Sequence, residues 1–124
     1  VHQRRQFGQA IGEFQLIQAK VADLYTTLQA ARCFAYTVGR NLDACGEQGA
    51  RHLRKDCAAL ILWVAEQATR MASDGIQIHG GNGYIKEYPI ERLYRDVRLL
   101  RIYEGTSQIL QIITAREMLR EAGL

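Results

Sequence analysis

Proline is almost missing from this chain: Pro89 is the only one among 124 residues. With so few fixed φ angles and so few lost backbone donors, long uninterrupted helices are expected. Cysteine is scarce too. Cys33, Cys45 and Cys57 lie singly, with no C-x-x-C pair, and three is an odd number for a disulfide framework. A reducing intracellular setting is expected. Long apolar runs are absent. The longest, Cys57 to Ala65, falls short of the roughly 20 residues that a membrane-spanning helix needs. The opening residues, Val1 to Arg5, lead into no apolar signal region. Neither sign of charge dominates. The net charge is +3, and Lys and Arg alternate with Asp and Glu, which excludes the basic stripe of a nucleic-acid binder. There is no internal repeat, no low-complexity tract and no strand of convincing alternation.

What the chain does hold is enough apolar material for one domain with a core: 48% of its residues are hydrophobic. It opens on Val1 rather than Met, inside a polar segment, and a piece of a longer protein is expected. Residues 1–12 read as a polar lead-in containing Arg4 and Arg5, either solvated or facing a phosphate. Phe14, Ile17, Val21, Leu24, Leu28, Ala31, Ala35, Val38 and Leu42 then alternate steps of three and four. That apolar seam predicts a helix of about 28 residues, roughly 40 Å long, packing nearly parallel to its neighbours. Tyr25 and Tyr36 lie beside the seam and are expected to widen its buried stripe as core or interface residues.

Gly46 and Gly49 mark a break. A second long helix is expected from about Arg51 to about Ile78, with Ala58, Ala59, Ala65 and Ala72 allowing close helix approach. Trp63 lies off its main stripe and marks a second contact surface. The run Gln77 to Tyr84 ends that helix in glycines that permit positive φ and leave backbone N–H groups bare. His79, a lone histidine, reads by itself as structural. Pro89 opens a third, shorter helix with Ile90, Leu93, Tyr94 and Val97 as its buried face. Arg92, Arg95, Arg98 and Arg101 recur every three residues, as a solvated row or as partners of Glu91 and Asp96. A fourth helix runs from about Ser107 to Glu121. The expected fold is all-α, an antiparallel four-helix bundle. No Glu-x-x-His pair is present, since Gly49 and Ile76 stand three residues before His52 and His79. No metal is expected.

One stretch combines a carboxylate, a glycine and a helix start: Tyr103-Glu104-Gly105-Thr106-Ser107-Gln108-Ile109. Thr106 and Ser107 can cap the fourth helix, and its open N–H groups can face an anion. Glu104 can project from a tight turn, an arrangement suited to proton abstraction beside a bound cofactor. The same residues also make an ordinary helix start.

Taken in order, Phe7-Gly8, Phe14-Gln15, Gln77 to Tyr84, Glu87-Tyr88-Pro89, Tyr94-Arg95-Asp96 and Tyr103 to Ile109 closely resemble the C-terminal helical domain of the acyl-CoA dehydrogenases. The resemblance covers nearly the whole chain, and the segment Phe7 to Gln18 looks most like the isovaleryl-CoA branch. It implies a larger flavoenzyme with an N-terminal helical domain and a middle β domain, residues 1–124 being the C-terminal domain. It implies FAD, an acyl-CoA substrate, a homotetramer and an electron-transfer flavoprotein as acceptor. By position, Glu104 matches the base that takes the α-proton while a hydride leaves the β-carbon for the flavin. A carboxylate is a weak base toward a carbon acid in water, and stripping its solvation strengthens it. Gly105 matches a position lying against the substrate. Thr106, Ser107 and Gln108 match FAD contacts, as does Gln15. Arg4 matches an arginine that reaches the FAD pyrophosphate of a neighbouring subunit, and Gln77, Ile78, His79, Gly80 and Gly81 match the segment packed on that FAD. Gln6 stands where some members carry a cofactor-contacting Thr. The isovaleryl branch typically takes its base from an earlier helix, whereas here Glu104 is present at the ordinary position. A bacterial member would be cytoplasmic, a eukaryotic one mitochondrial. Two other readings share these residues: an acyl-CoA oxidase, and a helical oligomerisation module with no catalysis of its own.

Overall fold

The structure, a computed structural model, describes residues 1–124 except the side chains of Glu47 and Gln48. It begins with a feature the sequence did not announce. Strands β1 (Arg5–Gln6) and β2 (Gln9–Ala10) form an antiparallel hairpin pairing Arg5 with Ala10 and Gln6 with Gln9. Phe7 and Gly8 both take positive φ, 52° and 85°, as a two-residue hairpin turn requires. Strands of two residues are too short to show alternation, so the segment read only as a polar lead-in. Ile11 N–H donates to the Arg4 carbonyl at 3.0 Å, which fixes Arg4 against the body of the domain.

Four helices follow: α1 (Gln15–Gly49), α2 (Arg54–His79), α3 (Ile90–Leu99) and α4 (Ser107–Glu121). α1 continues past Leu42 and breaks at Gly46, whose φ of 60° and ψ of −173° leave the helical region. Short 3-10 turns at Ala50–Leu53 and Gly80–Gly83 flank α2. Pro89 stands just before α3 as its N-cap residue.

α2 is the axis of the domain. Lys20 on α1 pairs with Asp74, while Ala35 and Ile61 share a cavity wall, so α1 runs antiparallel to α2. Lys55 pairs with Glu121, and Glu66 bonds Ser107, which sets α4 antiparallel as well. Ala58, Ala65 and Ala72 are the buried residues of α2, spaced seven apart on one stripe. Such small side chains let neighbouring helices come close. Gly75 extends the same effect, since a Cβ there would stand 2.8 Å from Ile90 Cδ1 of α3.

The core is thin. Among the described residues no large side chain is fully buried. Val38 and Leu110 are buried, but Val21, Leu28 and Leu42 of the expected seam are partly exposed. Tyr25 and Tyr36 do not widen a buried stripe: they are 62% and 68% exposed. Among the described residues α1 packs chiefly against α2, and mainly the face turned to α2 is covered. Leu93 of α3 is also exposed. Of the arginine row, Arg95 pairs with Glu91 at 3.0 Å, but Arg101 reaches Glu66 on α2.

Leu110, buried beneath the start of α4, is the side chain whose loss should be felt most. Leu110→Ala is expected to lower the unfolding free energy of the chain by roughly 2–5 kcal/mol in urea titration. Leu16→Ala, at a position 83% exposed, should change it by about 0.5 kcal/mol or less.

Candidate active site

The turn between α3 and α4 is built from backbone geometry that few residues tolerate. Ile102 and Tyr103 N–H both donate to the Leu99 carbonyl, at 2.9 and 3.2 Å, as the last turn of α3 tightens. The chain then passes through two left-handed residues, Glu104 at φ 53° and Gly105 at φ 106°. Gly105 suits that region. Glu104 does not, and an L-residue there costs roughly 1–2 kcal/mol. Thr106 then accepts Ile109 N–H on its hydroxyl at 3.3 Å and caps α4.

Glu104 lies at a cavity of about 280 Å³ whose other walls are apolar, with Ala35 from α1, Leu60, Ile61 and Val64 from α2, and Leu100 and Tyr103 from α3 and the turn. No other charged side chain lines it among the described residues. A ligand filling that space would lie between the Glu104 carboxylate and the apolar wall.

Ser107 is buried, and its hydroxyl donates to Glu66 Oε1 at 2.7 Å. Arg101 Nε donates to the same oxygen, also at 2.7 Å. These bonds hold the Glu66 carboxyl below the usual carboxylate range. The Ser107 hydroxyl contributes most, burial acts against it, and the Arg101 and Arg70 charges add to the lowering. No motif marks Glu66. Its bonding partners Arg101 and Ser107 are 35 and 41 positions away, and the sequence shows there no more than a carboxylate beside Ala65.

A second group of expected residues assembles elsewhere. Arg4 lies beside the end of α2, where a Cβ on Gly80 would come 3.8 Å from its Nη2. Ile78, Gly80, Gln6 and Arg4 line one groove of about 270 Å³, and Ile78, His79 and Arg4 line another of about 320 Å³. Gly80 has φ 61°, and a Cβ on Gly81 would meet nothing within 4 Å. Open glycine backbone beside a guanidinium suits an anionic group such as a pyrophosphate. His79 places Nδ1 2.7 Å from the Gly75 carbonyl, and its ring packs edge-on to Tyr88. Gln77 and Gln15 are exposed at the end of α2 and the start of α1, and Gln108 is exposed on the first turn of α4.

The two groups do not meet within one chain. Val64 and Ile78 lie fourteen positions apart on α2, about 20 Å along the axis. Among the described residues no three His, Cys, Asp or Glu side chains are grouped to hold a metal ion. Among the described residues no helix is long and apolar enough to cross a membrane.

A family model for the acyl-CoA dehydrogenase C-terminal domain matches residues 1–119. The chain belongs to the acyl-CoA dehydrogenase family. Mitochondrial isovaleryl-CoA dehydrogenase of Oryza sativa subsp. japonica is 52% identical over 98% of this chain, which spans 28% of that protein. An acyl-CoA dehydrogenase from Geobacillus kaustophilus superposes with a TM-score of 0.88 at 34% identity, covering 95% of this chain and 30% of its own. Butyryl-CoA dehydrogenase from Megasphaera elsdenii gives 0.84 at 35% identity, covering 96% and 30%. The chain thus spans under a third of these acyl-CoA dehydrogenases. The resemblance to the isovaleryl branch and the all-helical bundle are both borne out.

The lowered Glu66 carboxyl fixes the sign of one pH effect. A group whose folded pKa is depressed contributes stability at neutral pH, and that contribution fades as pH falls through its folded pKa. Glu66→Gln should therefore destabilise the chain at pH 7. The difference from wild type should shrink below about pH 4, as read by urea titrations across pH.

Proposed function

We propose that this chain is the C-terminal helical domain of a FAD-dependent acyl-CoA dehydrogenase, completed by an N-terminal helical and a middle β domain of a longer protein. The reaction is α,β-dehydrogenation of an acyl-CoA thioester, and Glu104 is the base that takes the α-proton. The observation that carries this reading is Glu104 itself. It is held at φ 53° as, among the described residues, the one charged side chain on an apolar cavity, in the position the family's motif gives the base.

FAD, when bound, supplies the acceptor for the hydrogen leaving the β-carbon. The chain's own residues have five tasks. Glu104 receives the proton on its carboxylate. Gly105 leaves the space above the turn free of a side chain, so that an acyl group can approach. Leu60, Ile61 and Val64 exclude water from the reacting carbon. Thr106 and Gln108 at the start of α4, together with Gln15, would hold the cofactor of one subunit, whereas Ser107, expected there too, is buried with its hydroxyl on Glu66 and its N–H on the Arg101 carbonyl. Arg4 with Gln77, Ile78, His79, Gly80 and Gly81 holds the pyrophosphate side of a neighbouring subunit's FAD. The roughly 20 Å between the two groups supports that division.

The exposed apolar residues of α1, Leu16, Tyr25 and Tyr36 among them, support burial against other copies, and a homotetramer is the assembly proposed. An electron-transfer flavoprotein is the proposed acceptor. The mitochondrial relatives support a matrix location for a eukaryotic protein, and the cytoplasm is proposed for a bacterial one.

In the full-length protein carrying FAD, Glu104→Gln should leave acyl-CoA binding within a few-fold of wild type. It should slow anaerobic flavin bleaching by acyl-CoA by about 100-fold or more. Bleaching at the wild-type rate would place the base elsewhere.

A further inference from the structure

Two side chains from the ends of the Glu104 turn converge on one oxygen atom. Glu66 Oε1 accepts Arg101 Nε and Ser107 Oγ, each at 2.7 Å. The same two residues are joined through the backbone, where Ser107 N–H donates to the Arg101 carbonyl at 3.3 Å. The segment 101–107 is therefore closed twice, by main chain and by side chain. Glu104 stands at its midpoint, three positions from either end.

That closure has something to hold. Glu104 and Gly105 are consecutive left-handed residues, and the intrinsic preference of a glutamate backbone is to leave that region. Strained residues persist where their surroundings over-determine them. The Leu99 carbonyl fixes the first half of the turn and the Thr106 cap fixes the second. Glu66 ties both halves to α2, the helix that supplies Leu60, Ile61 and Val64 to the cavity wall. Glu66 does not itself line that cavity. It lies on a separate groove beside Trp63, Gln67 and Arg70.

We propose that Glu66 is a positioning residue: by clasping Arg101 and Ser107 to α2 it holds the turn that presents Glu104 to the apolar cavity. The proposal rests on the reading of Glu104 as the base. The clasp needs one oxygen that accepts from both donors, and the Ser107 hydroxyl with the neighbouring arginines favours the carboxylate form of Glu66 that supplies it. Its two donors have different fates when the acceptor changes. A glutamine retains a carbonyl oxygen for the Ser107 hydroxyl, whereas an alanine leaves a buried hydroxyl without a partner.

The test uses the full-length protein with FAD and three variants: Glu66→Ala, Glu66→Gln and Arg101→Ala. Amide hydrogen exchange of residues 102–106 is read first. Glu66→Ala should accelerate it by about tenfold or more, Arg101→Ala by less, and Glu66→Gln least. Exchange in the middle of α2 should stay within about twofold. Steady-state kinetics are read second. Glu66→Ala should lower kcat by about tenfold or more with KM for acyl-CoA within about threefold, and Glu66→Gln should recover most of kcat. Unchanged exchange at 102–106, or a kcat loss that glutamine does not rescue, would overturn the clasp. Should Glu66→Ala fail to fold, Arg101→Ala decides alone: faster exchange at 102–106 supports the clasp, and unchanged exchange overturns it. If Glu104→Gln still bleaches the flavin normally, the base assignment fails. The exchange data then still decide whether Glu66 holds the turn.

Discussion

The domain depends on how closely its helices can approach α2. Ala58, Ala65 and Ala72 recur at one-heptad spacing on its buried stripe, and Gly75 admits Ile90 of α3 to a separation that a Cβ would forbid. Small residues at such contacts bring backbones together and let larger side chains pack around the seam. Three helices then lie along one axis, each antiparallel to it. The consequence for chemistry is positional. α3 and α4 are both referenced to α2, so the turn between them is too, and the cavity at Glu104 takes its walls from the same helix that anchors the turn.

Within that frame Glu104 is placed in an unfavourable backbone conformation. A glutamate at φ 53° is held by three sets of surrounding bonds: those to the Leu99 carbonyl, the Thr106 cap and the paired donors on Glu66. Placing strain at a site and distributing its restraint over neighbouring elements is a general way to fix a reacting group without crowding it. Here the restraint acts from behind the turn. The side facing the cavity stays apolar apart from Glu104.

The helices were legible in the residues because their signals are local. The three-and-four spacing from Phe14 to Leu42, the glycines after Gln77 and the Pro89 step each act within a few positions. The family motif likewise located Glu104. What escaped was long-range or incomplete. The hairpin at Arg5–Ala10 is too short for periodicity. Glu66 gains its role from Ser107 and Arg101, which are 41 and 35 positions away. Tyr25 and Tyr36 carry the spacing of core residues but lie exposed, since apolar patterning records that a face is to be covered without recording by what. The arginine row was read correctly at Arg95, which pairs with Glu91, but its period of three said nothing of Arg101, which lies beyond α3 and turns to α2.

The apolar face of α1 lies exposed, and Arg4 lies far from Glu104, in a chain that spans under a third of its relatives. Its central claim concerns a proton, and the most direct measurement follows that proton alone. An acyl-CoA thioester with no hydrogen on its β-carbon can be deprotonated but not oxidised, so incubating it in deuterated water with the full-length FAD-bound protein isolates the first half of the reaction. The account predicts deuterium entering the α-carbon with the wild-type protein and its disappearance in Glu104→Gln. Deuterium uptake at an undiminished rate in that variant would contradict it.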